Sequence, residues 1–404
     1  MSWIQISIGD IGKVITGNTP PKSNPEFYGN DYKFIKPTDM EIGQRYTPIT
    51  EDYYSELAYK KYINSLIPPL STCVVTIGSI GKKITLTNDF SFVNQAVNAV
   101  IPDEKKYDPF FVFYALKNIL HKVKSADTGA SSGRENVSKS NFMTLKLEVP
   151  IDIETQKKIG SVLSSFDDLI ENNLKRIKLL EETAQNIYKE WFVNFRFPNY
   201  EHTAFDKESG LPVGWEMKKL SELNTKITDG THDSPKPTEN GFPLITGKNL
   251  IDGFVDFSNS YFISQEDHEK IKSRSYLDIG DIMYSNIGTV GSTAIVSENF
   301  EYSCKNVIIF KPLTEHTNFL YCFLTNDMNK KLFLQGLLGS NQKFISLKYA
   351  REYKFGFPNS DLILDFGLKT KSIFENRRCL FEMNQKLKEA RDILLPRLMN
   401  RTIE

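Results

Sequence analysis

The stretch IGSVLSSFDDLIENNLKRIKLLEETAQNIYKEW, from Ile159 to Trp191, decides how the fold is read. Ile159, Phe166, Asn173, Leu180 and Ile187 fall seven residues apart, as do Leu163, Ile170, Ile177, Ala184 and Trp191. The two series interleave by three and four. That is a coiled-coil seam, because a seven-residue repeat keeps one stripe on one side of a helix. No proline interrupts from Asp152 to Phe195, and Pro198 lies just beyond. A helix of roughly 44 residues is about 65 Å long at about 1.5 Å per residue. It cannot stand in water on propensity alone and needs a partner face.

The end of the chain offers that partner. Ile373, Leu380, Leu387 and Leu394 form one heptad series, and Asn376, Met383 and Ala390 form another. Laid on the first helix at a spacing of 203 residues, Ile170 meets Ile373, Asn173 meets Asn376 and Ile177 meets Leu380. Matching seam asparagines predict two antiparallel helices held in register by a mutual amide hydrogen bond. The alternative is that each asparagine faces solvent where the seam frays.

What precedes each helix is also duplicated. Trp3 and Ile15 recur as Trp215 and Ile227, 212 residues on. Ile77-Gly78-Ser79-Ile80-Gly81 recurs as Ile287-Gly288-Thr289-Val290-Gly291 at 210, and Pro150 as Pro358 at 208. The slow drift is that of two copies separated by small loop changes. Short apolar runs such as Cys73–Ile77, bounded by turn residues, read as strands. A short helix is expected near Phe110–Val123 and again near Asn318–Leu334. The expected architecture is α+β: two duplicated domains of mixed α/β character, each followed by a long helix, the helices packed as an antiparallel coiled coil. The boundaries read as 1–150, helix 151–197, linker 198–214, second domain 215–358 and helix 359–404, the last opening near Asp361–Phe366.

Composition narrows the class. With 404 residues, 40% hydrophobic and 25% charged, the chain is globular and long enough for more than one core. Its net charge of zero argues against a coat for nucleic acid, while leaving room for local basic surfaces. Cys73, Cys304, Cys322 and Cys379 make no C-x-x-C pair and read as small buried hydrophobes of a reducing compartment. The N-terminus carries no basic, then apolar, leader, and no run of about 20 apolar residues occurs, so a cytoplasmic chain with no membrane partner is expected.

Several segments carry a family resemblance. Val149-Pro150-Ile151-Asp152-Ile153-Glu154-Thr155-Gln156 opens the first helix, Leu163–Asn172 continues it and Ile187–Phe195 ends it. Leu211-Pro212-Val213-Gly214-Trp215 opens the second repeat, and Leu394–Met399 lies near the C-terminus. Together with the duplication, these resemble the specificity subunits of type I restriction–modification systems over nearly the whole chain. Thr155 departs from the pattern, separating Glu154 from the glutamine that commonly follows it. The resemblance implies that each domain is a target recognition domain reading one half of a split site in double-stranded DNA. It implies that the helices are spacers that dock two modification (methyltransferase) subunits, to which restriction (translocase–nuclease) subunits add. S-adenosylmethionine, ATP and Mg are then expected on those partners and no cofactor on this chain.

Affinity for DNA comes from cations on phosphates, and specificity from side chains that reach base edges. In the first domain the candidate contacts are Thr16, Asn18, Thr19, Lys22, Lys36, Ser131, Ser132, Arg134 and Asn136. In the second they are Thr231, His232, Lys248, Asn249, Asn341, Gln342 and Lys343. An ordinary solvated turn is the alternative for each. His232 reads as a loop histidine, with no acidic or cysteine partner at a recognisable spacing. The glycines of Ile77–Gly81 and Ile287–Gly291 read as strand-ending turns, since no G-x-x-x-x-G-K-[ST] is present. Asn24-Pro25-Glu26-Phe27 misses the methyltransferase loop N-P-P-[FY] by its glutamate. No catalytic or metal-ligating set emerges. Two readings compete with the resemblance: an enzyme with its own site, and a coiled-coil interaction scaffold with no DNA role.

Overall fold

The computed structural model describes residues 2–126, 135–258, 260–339 and 343–400. The chain divides into two compact units, residues 1–171 with 384–404, and residues 172–383.

In the first unit, β1 (Trp3–Ser7) is closed by β9 (Lys146–Pro150), antiparallel with Trp3 opposite Pro150. Between them β2 (Gly12–Thr16), β8 (Val97–Pro102), β5 (Thr72–Val75) and β6 (Ile84–Leu86) form an antiparallel sheet in the order β2-β8-β5-β6. A second sheet has the order β4-β3-β7, from β3 (Tyr28–Ile35), β4 (Asp52–Tyr54) and β7 (Ser91–Val93). Its β3 and β7 run parallel, with Phe34 opposite Phe92. β5 is buried along its whole length, as its unbroken apolar run requires. The helix Pro109–Asn118, capped by Asp108, covers the first sheet with Phe111, Phe113 and Leu116.

The second unit repeats this plan. β10 (Glu216–Lys219) pairs with β20 (Lys354–Phe357). β11 (Asn224–Asp229), β19 (Val307–Pro312), β16 (Ile282–Ser285) and β17 (Thr293–Ile295) follow the order β11-β19-β16-β17. β12 (Phe242–Ile245), β15 (Tyr261–Ile263) and β18 (Ser303–Cys304) follow β15-β12-β18, again with the inner pair β12 and β18 parallel. The hairpin of β13 (Leu250–Ile251) and β14 (Phe254–Val255) is an addition of this copy. After β5 and β16 the chain turns at Gly78 and Gly288, with φ of +83° and +75°, which is the strand-ending turn expected there.

The first long helix runs Ile153–Tyr188 and ends in a π-turn, Lys189–Val193, that carries the buried Trp191 and Phe192. Its start explains the departure at Thr155. Asp152 accepts from the Thr155 backbone N–H (3.0 Å) and hydroxyl (2.7 Å), so this threonine secures the cap. Those bonds hold the Asp152 carboxyl below its ordinary pKa. The buried Gln156 donates to the carbonyls of Lys106 (3.1 Å) and Pro150 (2.9 Å) and accepts from the Asp108 N–H (3.0 Å). It ties the helix to the first domain. The second long helix runs Ser360–Met399, its first turn capped by Asn359, which accepts from the Leu362 N–H.

The helices pack antiparallel. In the first unit Asp167 meets Arg391, and Ile170 receives the Asn384 amide at 3.3 Å. In the second unit Ile177 packs with Leu380 and Phe254, and Glu181 meets Arg377. Leu163, Ile170, Asn173 and Ile177 are buried, while Phe166 and Leu180 are half-buried. On the second helix Leu380 is buried and Ile373 and Leu387 are half-buried.

The other series on that helix requires correction. Asn376 and Ala390 are exposed, and Met383 is 50% exposed. The buried series is Thr370, Arg377, Asn384 and Arg391, one residue further on. The expected spacing of 203 is thus one helical turn short. Tyr114 and Tyr321, which reach the seam in their respective units, lie 207 apart. So do Gly160 and Gly367, each held close to the start of the domain helix beside it. At 207, Asn173 corresponds to Leu380, and Asn376 to the exposed Leu169, so the expected pairing of Asn173 with Asn376 does not form. Cys379 is also a correction: it is exposed, whereas Cys73, Cys304 and Cys322 are buried.

Candidate nucleic-acid interface

Each unit builds the same surface from a loop and a helix. The loop follows β2 in one unit and β11 in the other, and its departure from the sheet needs glycine. A Cβ on Gly17 would lie 1.7 Å from the Val93 carbonyl oxygen, and one on Gly230 would lie 2.3 Å from that of Cys304. These close approaches let Asn18 N–H donate to Val93 (3.1 Å) and Thr231 N–H to Cys304 (3.0 Å). The helix follows β4 or β15 and is capped alike. Ser55 opens Glu56–Tyr62, and Ser264 opens Gln265–Ser275. The first helix ends on Lys60 and Lys61, the second on Lys272 and Arg274, so the cations sit at the favourable end of the helix dipole.

In the second unit loop and helix enclose a cleft of about 690 Å³, lined by the loop residues Thr231 to Lys236 and, from the helix, by Lys270 and Arg274 among others. Lys236 and Lys270 are exposed. The nearest carboxylate to the Lys270 ammonium is that of Asp233, at 4.0 Å. Arg274 is held by the Gly230 carbonyl at 2.8 Å, and Lys305 donates to the Ser234 hydroxyl. The exposed His232 has the acidic partner that sequence spacing had not revealed: its Nε2 lies 2.8 Å from Asp229, and its Nδ1 lies 3.0 Å from Asn306 Oδ1. Asp229 sits on the strand before it and Asn306 beyond β18, a pairing made by the sheet.

The expected contacts divide accordingly. Asn18, Thr19, Lys22 and Asn136 are exposed in the first unit, and His232, Lys248 and Lys343 in the second. Asn18 and Thr19 are tied back to Ser65 and Gln95. Thr16 is half-buried and donates to Asn98 within the sheet. Three expectations are overturned as direct contacts. Lys36 is engaged by Glu51 (2.5 Å) and Asp52 (2.7 Å). Burial acts to lower its pKa, but those bonds win and hold the ammonium above its ordinary value. Asn249 is 6% exposed and spends its side chain on the turn, accepting from the Thr246 N–H and donating to the Asp256 carbonyl, each at 2.8 Å. Thr231 is 6% exposed and accepts from the Asp233 N–H. Ser131, Ser132, Arg134, Asn341 and Gln342 lie outside the described residues. Of the lysines missed from sequence, Lys60, Lys61 and Lys270 carried one available signal, spacing after a serine cap, whereas Lys236 lies on the loop and carried none.

Buried charge marks the long helices as well. In the first unit Tyr114 donates to Asp167 (2.5 Å), and Arg45, 3% exposed in its side chain, pairs with Asp168 (2.5 Å) and Glu171 (2.9 Å). Lys117 is packed nearby. Burial, and then the charge of Arg391, push its pKa down to about 8. Among the described residues no helix is long and apolar enough to cross a membrane, and no cluster of His, Cys, Asp or Glu is disposed to hold a metal ion.

This duplicated, loop-decorated α+β plan with paired long helices is that of a known class of DNA-site readers. The family model for the type I restriction modification DNA specificity domain matches residues 2–182 and again 212–362, and the chain belongs to that family. The type I restriction enzyme MjaIX specificity subunit of Methanocaldococcus jannaschii is 27% identical over 98% of this chain and 92% of its own length. The EcoR124I/EcoR124II specificity subunit of Escherichia coli is 31% identical over 48% of each chain. Among solved structures, the type I S subunit from M. genitalium shares the fold with a TM-score of 0.56 at 17% identity, covering 98% of this chain and 96% of that one.

Proposed function

We propose that this chain reads a split, asymmetric site in double-stranded DNA, one half per repeat, and thereby directs adenine methylation or cleavage by partner subunits. The observation that carries the reading is one surface built twice with different side chains. Asn18-Thr19-Pro20-Pro21-Lys22 stands where Thr231-His232-Asp233-Ser234-Pro235-Lys236 stands in the second copy. Like scaffolds fix how each domain approaches a duplex, while unlike loops read unlike bases. Exposed lysines beside each loop supply the sequence-independent attraction to phosphate.

The chain's own residues bind and orient DNA, and the chemistry belongs to partners. Two modification subunits would carry S-adenosylmethionine, and restriction subunits would carry ATP and Mg, all acting in the cytoplasm. The long helices are the elements assigned to setting the gap between half-sites.

Methylome sequencing tests this. A host expressing the chain with its modification subunit is compared with the same host lacking the chain. A bipartite adenine-methylation motif that disappears with the chain is the expected result. Methylation unchanged by the deletion, in a host with no second copy, overturns it in favour of a coiled-coil scaffold.

A further inference from the structure

We infer that the seam between the two long helices is keyed to join unlike halves of this chain and to reject a second copy of the same half. At the spacing of 207, the first helix presents Leu163, Ile170, Ile177 and Ala184 where the second presents Thr370, Arg377, Asn384 and Arg391. One helix is aliphatic at these places and the other is polar or cationic. The arginine side chains are 3% and 2% exposed, so each needs a carboxylate from the facing helix. Arg391 finds Asp167 in the first unit, and Arg377 finds Glu181 in the second.

The counterparts of those two carboxylates on the second helix are Phe374 and Lys388. Two copies of the second helix, packed in the same way, would set Arg391 against Phe374 and Arg377 against Lys388. Asp392, 57% exposed on the same helix, would be the partner left to Arg391. Two copies of the first helix would set Asp167 against Ala184 and Glu181 against Ile170. Two second helices bury Arg377 without its counter-charge and add repulsion from Lys388, whereas two first helices leave the buried Asp167 only the nearby Lys117 and take Arg377 from the partly buried Glu181. The aliphatic members, Ile177, Leu380 and Leu387 among them, serve any pairing equally. The charges therefore carry the choice, by penalising the wrong partner as much as by rewarding the right one. An uncompensated buried charge lowers an association constant by about a hundredfold or more.

The test uses the full chain with a protease site set into the exposed turn Lys207–Gly210, prepared with two different tags. Both forms are folded, cleaved, mixed in urea and returned together to buffer, and fragment pairs are counted by native mass spectrometry. Every abundant pair is expected to hold one N-terminal and one C-terminal fragment, with like pairs at about a hundredth of that abundance. Like pairs above one tenth overturn the inference. A second form carries Asp167→Met, Glu181→Met, Arg377→Met and Arg391→Met, because hydrophobic replacement of whole buried ion pairs is tolerated. Its unlike pairs should persist while like pairs rise at least about tenfold. If exclusion of like pairs is as strict as before, the charges are not the key. The readout involves no DNA, so its failure leaves the DNA-reading proposal untouched.

Discussion

Removing the two exposed lysines Lys236 and Lys270 of the second unit's cleft should flatten the salt dependence of DNA binding by a calculable amount. Lys236 lies on the loop and Lys270 on the helix, on opposite walls of the 690 Å³ cleft. Both are exposed, and the nearest carboxylate contact of Lys270 is a marginal 4.0 Å. Each is therefore available to one phosphate. A phosphate contact contributes about 0.9 to the slope of log K against log salt. Lys236→Ala with Lys270→Ala should lower that slope by about 1.8 and weaken binding roughly sixtyfold at about 0.1 M salt. Fluorescence anisotropy of a labelled target duplex, titrated with the modification complex across a series of KCl concentrations, measures both quantities. The loss should be the same on target and random duplexes, because phosphates carry no sequence. An unchanged slope, or a loss confined to the target sequence, refutes the assignment of these lysines to the backbone. Lys36→Ala is the internal control, since its ammonium is already neutralised by Glu51 and Asp52 and should leave the slope unaltered.

Three further predictions concern the framework. Lys117 is held at a pKa of about 8 by burial and by Arg391, below its ordinary value of 10.5, so its charged form is strained in the folded chain. The unfolded chain holds more protons between those two values, so stability rises with pH through that window and falls as pH drops through the folded pKa. Lys117→Met should stabilise the chain by about 1–3 kcal/mol at neutral pH, a gain that fades above pH 8 and is gone near the unfolded value; urea melts at several pH values read it. Gly17→Ala must displace the Val93 carbonyl and should cost about 2–4 kcal/mol in the same melts. Gln156→Ala strands the Asp108 N–H and two carbonyls in a buried place and should cost about 2–4 kcal/mol, whereas removing the solvated pair Glu154–Lys157 should change stability by less than about 0.5 kcal/mol.

The fold was legible where the physics is local and periodic. Apolar residues seven apart can lie on one stripe only if the chain is helical, so the first helix and its seam followed from residue spacing alone. The duplication was legible because loops drift by a residue or two while turn glycines stay. The second helix was misread by one turn for an instructive reason. Hydropathy placed Met383 in the seam and Arg377 and Arg391 outside it, yet Met383 is 50% exposed and both arginines are buried. An arginine becomes a seam residue only when a carboxylate from elsewhere in the chain meets it, and spacing within one helix contains no record of Asp167 or Glu181. The same limit governs the binding surface. Lys36 and Lys236 look alike in sequence, but one is claimed by Glu51 and Asp52 and the other is free to face a ligand. His232 shows the converse, since its partners Asp229 and Asn306 are brought to it by β11 and the end of β18. Periodicity thus decides which faces are buried, whereas charge is allocated by tertiary pairing. In this chain that allocation leaves Lys236 and Lys270 exposed and gives each seam arginine a carboxylate from the facing helix.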